Sequence, residues 1–279
     1  MRDVIIGCSS NYKWDTIKYW VNSINKSGFT GDKVMVLMHC DRETAKQVVQ
    51  AGFIVIGFAE DEQGNLSYPP SKIPVHVERF AHIYEHLCRN NYRYAITTDV
   101  KDVIFQSNPI KWLEDNISNR LNCVFSSESM LYKDEPWGNQ NLLETYGEYI
   151  YNKFKDNEIY NVGVLGGSGE AIRDLCINIF TAAINRPIPI CDQSTFNFMI
   201  SQKPYTDTCL YTKSEDAWAC QLGTTADPSK AEQFKPFLLE PSPKLVGDKV
   251  TTSTGKPYVI VHQYDRVPEW KGVLEKIYG

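Results

Sequence analysis

The chain has 279 residues, 42% of them apolar and 12% aromatic, which is enough to bury a large core. A formal net charge of −5 and the lack of any Lys/Arg-rich block argue against a surface that tracks nucleic-acid phosphates. No apolar stretch approaches a membrane span, and the first strand-like run, 4–8, starts almost at Met1 with no room for a signal peptide, so a cytoplasmic protein is expected.

In chain order, the N-terminal half alternates strand-like and helical segments. Residues 4–8 (VIIGC) read as a strand, 14–25 as a helix with spaced aromatics, and 33–38 as a second strand. Asp41 is placed to cap a helix through Ala51, which Gly52 closes before a strand at 53–56. Residues 60–75, with Gly64, Pro69, Pro70 and Pro74, read as a loop, followed by a helix at about 77–89 and a strand at 92–97. This order predicts an α/β sheet of the nucleotide-binding kind.

Past Thr98 the alternation loosens. Strands are expected at 122–126 and 159–165, a helix at 170–185, and a helical pattern from Asp192. Residues 221–256, rich in Thr, Ser, Pro, Gly and Lys, predict loops and short strands before a final buried strand at 258–262. No repeat or linker divides the chain, so one domain over 1–279 is expected. The eight cysteines form no CxxC pair and several sit in apolar runs, which predicts reduced thiols.

The sharpest local signal is TTDVKDVIFQ at 97–106, where Asp99 and Asp102 fall at the end of a buried strand, the edge at which ligands of α/β sheets gather. Two readings are open: turn residues, one capping and one solvated, or a pair converging on a hard cation that holds a diphosphate. His262 ends an apolar run before Gln263, Tyr264, Asp265 and Arg266, and is either a hydrogen-bonded strand end or a further metal ligand. The small polar stretch GCSSN at 7–11 is an ordinary β–α turn or a place where a base and ribose approach the backbone. Arg79 is a solvated helix residue or a contact to the diphosphate.

In NVGVLGG at 161–167 the glycines let a sugar ring lie against backbone, with Asn161 offering a donor and an acceptor; a plain bulge is the other reading. Asp192 is a helix N-cap, a catalytic base, or both, with Glu128, Asp134 and Glu135 as rival carboxylates. The aromatics of the back half (Tyr132, Trp137, Tyr146, Tyr149, Tyr151, Trp218) either fill the core or stack on acceptor sugars. Neither GxxxxGK[ST] nor a GxGxxG after the first strand occurs, so P-loop and dinucleotide-binding functions lose support.

Four blocks, TDVKDVIFQ at 98–106, NVGVLGG at 161–167, CDQSTFN at 191–197 and HQYDR at 262–266, together resemble glycosyltransferases of the GT-A fold, and they stand in the order that family requires. The family usually carries Asp-x-Asp; here Lys101 takes the third position and the second carboxylate follows at Asp102. The resemblance implies a GT-A, Rossmann-like mixed sheet flanked by helices, with a donor-binding part at about 1–110 and an acceptor-binding part at about 111–279, and transfer of a sugar from a UDP-sugar to a hydroxyl of a glycan or glycoprotein. It implies Mn2+ or Mg2+ on Asp102, Asp99 and His262. Donor contacts would come from Cys8, Ser9, Asn11, Arg79, Asp99, Val100, Asn161, Gly163 and Arg266, and acceptor contacts from Glu128, Trp137 and Gln193. With Asp192 as base, the transfer would invert the anomeric centre.

Lys101, Arg79 and Arg266 would supply substitute charge in a metal-independent version. The chain also resembles glycosyltransferases of the chlorella-virus kind that decorate a capsid-protein glycan, which implies xylosyl transfer in a host cytoplasm. Two alternatives stand beside these expectations. Against a non-catalytic sugar-nucleotide or carbohydrate-binding module speak the three carboxylates Asp99, Asp102 and Asp192. Against a sugar nucleotidyltransferase speaks residues 7–13, which lack a glycine- and arginine-rich phosphate loop.

Overall fold

Val4, Ile5 and Ile6 are consecutive and all fully buried, the mark of a strand covered on both faces. The computed structural model, which describes residues 1–57, 59–67, 71–118 and 120–279, places them in β1 (Arg2–Ser10) near the middle of a mixed sheet. β1 pairs in parallel with β2 (Asp32–Cys40) on one side and β6 (Tyr92–Thr98) on the other. Beyond β2 lie β3 (Ile54–Ile56), parallel to it, and β5 (Leu66–Ser67), antiparallel to it and paired with β4 (Ala59–Glu60). Beyond β6 the sheet turns antiparallel through β9 (Glu158–Ser168) and β8 (Cys123–Leu131), and β10 (Cys209–Thr212) runs parallel to β8 at the edge.

The two faces are covered by different helices. Ile5 packs with Ile17, Trp20 and Ile24 of the helix Trp14–Lys26. Val4 and Ile6 pack with Phe80 and Ile83 of the helix Val75–Arg89 and with Leu175 and Ile179 of the helix Gly169–Ala183. Each such side chain taken from water contributes about 1.5–3 kcal/mol. A second, three-stranded sheet holds β7 (Val103–Phe105), β11 (Ala219–Gln221) and β14 (Ile260–His262), in the order β11–β14–β7. A small antiparallel pair, β12 (Lys244–Val246) and β13 (Lys249–Thr251), completes the strands.

Local chemistry fixes several element ends where the sequence predicts them. Asp41 caps the helix Arg42–Gln50 by accepting from the Thr44 N–H at 2.8 Å, and Gly52 leaves it at φ +86°. The expected loop at 60–75 instead contains β5 and the end of β4, and its helix begins at Val75, directly after Pro74; Pro69 and Pro70 lie outside the described residues. Three further helices, Pro109–Asn116, Pro136–Phe154 and Pro268–Tyr278, each open on a proline, whose missing N–H is an orphan in a first turn anyway. Within 221–256, the short helices Leu222–Thr225 and Ala231–Phe234 accompany the expected strands. The final strand is Ile260–His262, shorter than expected because Tyr258 and Val259 bond outside the ladder. All eight cysteines are free, and among the described residues no helix is long and apolar enough to cross a membrane.

Candidate active site

Two sheets meet where β6 ends. The Trp20 indole N–H donates to Thr98 Oγ1 at 2.8 Å, pinning the last residue of the strand, and the Asp99 N–H donates to the Gly163 carbonyl at 2.9 Å. The chain then turns through Asp99 to Asp102 and enters β7 in the second sheet. There Val103 is the register partner of His262, which sets the imidazole beside both aspartates.

His262 Nε2 lies 3.6 Å from Asp99 Oδ2 and 3.6 Å from Asp102 Oδ1, and one ligand atom from each residue falls within 4.8 Å of the others. The ring is 3% exposed, and its Nδ1 lies 2.6 Å from Gln221 Oε1. An amide oxygen only accepts, so Nδ1 carries a proton and Nε2 is the nitrogen turned toward the carboxylates. Burial alone would depress the imidazole pKa; Asp102 and Asp99 outweigh it and raise the pKa to about 10. Two carboxylates and an imidazole oriented from behind suit a divalent cation, which would displace the Nε2 proton. Gly163 is required by the closeness of this packing: a Cβ there would stand 2.6 Å from His262 Cε1 and 2.8 Å from Asp99 Oδ2.

Arg79 connects this cluster to the helix Asp192–Ile200. Its guanidinium donates through Nη1 to Asp99 Oδ1 and through Nη2 to Asp192 Oδ2, the latter at 3.0 Å, with 14% of the side chain exposed. Burial opposes the charge on Arg79, but Asp99 and Asp192 outweigh it and hold the pKa above its usual value. Burial likewise opposes ionisation of Asp99, yet Arg79 and His262 keep its carboxyl well below the usual range. At Asp192 burial prevails over Arg79 and pushes the pKa up. The N-cap reading of Asp192 does not hold: Cys191 occupies the cap position without a side-chain bond, and Asp192 is the first helical residue, turned to Arg79. Nor is Arg79 a solvated helix residue.

The cluster floors a cleft with two lobes, of about 440 and about 280 Å3, which share His76, Arg79, Asp99, Asp102 and Arg266. Glu128, Trp137, Asn161, Gly163, Asp192, Gln193 and His262 line the larger lobe, and Cys8, Ser9, Val100 and Lys101 the smaller. Of the donor, metal, acceptor and base candidates from the sequence, Asn11 and the rival carboxylate Asp134 fall outside both lobes, Asn11 lining a separate pocket with His39 and Asp41. Both ends of the Asn161 amide are engaged: Oδ1 accepts from the Gly163 N–H at 2.7 Å, and Nδ2 donates to Glu128 at 2.6 Å. Among the aromatics, Tyr132 and Trp218 are core residues, whereas Trp137 stands half exposed at the rim. Glu135 caps the helix Pro136–Phe154 through the Gly138 N–H.

Sequence reasoning missed Gln221, Gln263 and His76. Gln221 shows only as a polar residue after Ala219 and Cys220, and nothing local reveals that β11 lies beside β14 in the register that pairs it with His262. Gln263 lines the larger lobe in a left-handed conformation, φ 59°, and its Oε1 accepts from the Gly223 N–H at 2.9 Å.

No family model matches the chain, and no curated protein matches it by sequence. Among solved structures it is similar to mouse xyloside xylosyltransferase 1 in its apo form, at 13% identity and a TM-score of 0.53, over 93% of this chain and 97% of that one. At that identity the likeness is one of fold. The central mixed sheet with flanking helices shares the fold of that transferase, in line with the GT-A sheet that the four sequence blocks imply.

Proposed function

We propose that the chain is a metal-dependent glycosyltransferase that takes a nucleotide-sugar donor and moves its sugar to a hydroxyl of a glycan acceptor. The observation that carries this reading is the convergence of Asp99, Asp102 and His262 at the end of β6, inside a cleft, on a fold of this kind. A divalent cation held there offsets the charge that gathers on a diphosphate leaving group. The metal-independent alternative is weakened by the pairing of its substitute cations: Arg79 faces Asp99 and Asp192, while Lys101 and Arg266 flank Asp265 at 3.7 and 3.6 Å.

In this reading the smaller lobe, at the end of β1 with Cys8 and Ser9, takes the nucleoside, and the larger lobe takes the sugar and the acceptor. Trp137, half exposed, and Ile190, 40% exposed, offer an apolar rim for the face of an acceptor ring. Donor and acceptor parts then interleave in sequence, since Asn161, Gly163 and His262 join the donor side. UDP-xylose is the donor to try first, because the similar solved structure is that of a xylosyltransferase. The test is a panel of sugar nucleotides with and without Mn2+ or Mg2+. Cation-dependent donor hydrolysis or transfer supports the reading. Pyrophosphate-dependent turnover would favour a nucleotidyltransferase, and binding without turnover a module.

A further inference from the structure

Five carboxylates line the larger lobe: Asp99, Asp102, Glu128, Glu135 and Asp192. Asp99 and Asp102 face His262, Asp192 holds Arg79, and Glu135 caps a helix. Among the described residues, Glu128 has neither a cation nor a helix end to hold; its partners are two neutral side-chain amides.

The backbone is shaped to aim Glu128 inward. The β8–β9 ladder pairs Ser127 with Tyr160 and resumes at Leu131 opposite Glu158, so residues 128–130 bulge from β8. Ser129 follows Glu128 at φ 58°, a left-handed conformation that costs a residue other than glycine about 1–3 kcal/mol. Four bonds hold the bulge: the Ser129 N–H donates to Ser127 Oγ at 2.7 Å, Thr224 Oγ1 donates to the Glu128 carbonyl at 2.8 Å, and Ser129 accepts from the Leu239 N–H at its carbonyl, 2.9 Å, and from the Glu240 N–H at Oγ, 2.8 Å. Bulges of this kind redirect side chains and recur beside active sites.

The carboxylate itself is clamped at one oxygen. Glu128 Oε1 accepts from Asn161 Nδ2 at 2.6 Å and from Gln193 Nε2 at 2.7 Å. Both amides are oriented from their other ends, because the Gly163 N–H donates to Asn161 Oδ1 at 2.7 Å and the Val162 N–H to Gln193 Oε1 at 3.1 Å. Burial raises the Glu128 pKa above the usual carboxylate value, and the two fixed donors on one oxygen counter it by favouring the ionised form. Oε2 has no hydrogen-bond partner among the described residues and is the oxygen left for the cleft. A preorganised negative charge in a shielded site stabilises positive charge that develops during reaction far more than it would in water.

Resting on the proposed sugar transfer, we infer that Glu128 is a catalytic residue whose carboxylate faces the donor sugar and offsets the positive charge that gathers on its anomeric carbon. In that step the bond from the anomeric carbon to the diphosphate oxygen breaks, and its electron pair leaves with the diphosphate. The acceptor oxygen bonds to the anomeric carbon, and its proton passes to the departing diphosphate rather than to Asp192, whose carboxylate is engaged by Arg79. Glu128 gains and loses no atom; its charge acts only while the sugar is cationic.

Glu128→Gln tests this, because it keeps an oxygen able to accept from both amides and removes the charge. The measurements are kcat for transfer and for donor hydrolysis, donor Kd by calorimetry, and the thermal midpoint, using a sugar nucleotide that the unaltered chain turns over with Mn2+. Both kcat values are expected to fall about a hundredfold or more, with donor Kd within about threefold and an unchanged midpoint. Glu128→Asp, which restores the charge, is expected to recover part of kcat. Full activity in Glu128→Gln, or a loss confined to donor affinity or stability, overturns the role of Glu128 and leaves the transferase reading standing. An unaltered chain that turns over no sugar nucleotide overturns both.

Discussion

Nδ1 of His262 lies 2.6 Å from Oε1 of Gln221, and the two residues are register partners on β14 and β11. This contact selects the tautomer that leaves Nε2 for the aspartate side, and it holds the ring plane. Gln221→Leu removes the acceptor and frees the ring. Mn2+ affinity is expected to fall about ten- to a hundredfold while the far-ultraviolet circular dichroism stays native. Unchanged Mn2+ affinity would show that the orientation of His262 does not matter to the ion.

Gly163→Ala places a methyl group within 2.6–2.8 Å of His262, Asn161 and Asp99, all of which have their own fixed partners. Relief requires a shift of β9 or of the triad, and overpacking of this kind costs about 1–3 kcal/mol. The variant is expected to unfold at a lower denaturant concentration and to bind Mn2+ weakly. A variant that binds Mn2+ as tightly as the parent would show that the three ligands tolerate displacement and are not held to a fixed geometry.

Arg79 serves two carboxylates, so its removal leaves both without a partner. Arg79→Met is expected to lose about 3 kcal/mol of stability, the low end for a broken buried pair, because 34% of the Asp99 side chain is exposed. Adding Asp192→Asn to that variant should return part of the loss, since the second uncompensated charge is then gone. Urea unfolding of the single and double variants measures both effects. A double variant less stable than Arg79→Met would contradict the pairing.

Much of the scaffold was legible because it follows local rules. Asp41 and Gly52 bound a helix by cap chemistry, and the buried runs around Ile5 and Val36 read directly as central strands. Asp99, Asp102 and His262 were legible as strand-end polar residues, yet their meeting depends on β7 and β14 pairing across the second sheet, which no local pattern encodes. The same holds for Gln221, placed by the β11–β14 register. Arg79 looked ambiguous among acidic helix neighbours because its partners, Asp99 and Asp192, come from distant elements. The helices at Pro109 and Pro136 carry starts written in the local sequence, Asn108 and Glu135 each capping ahead of a proline. Glu128 owes its direction to a bulge that only the β8–β9 ladder reveals.

If Asp102 helps to hold a divalent cation through which a nucleotide-sugar donor binds, calorimetry of Asp102→Ala beside the unaltered chain will show the loss of both ligands together. The variant removes one carboxylate, 3.6 Å from His262 Nε2, and leaves the Asp102 carbonyl bond to the Tyr264 N–H in place, so a folded protein is expected. The unaltered chain is expected to bind a sugar nucleotide only with Mn2+ or Mg2+ present, and Asp102→Ala to bind neither the ion nor the donor measurably. Equal donor affinity in the two proteins, with or without the ion, would contradict this role of Asp102.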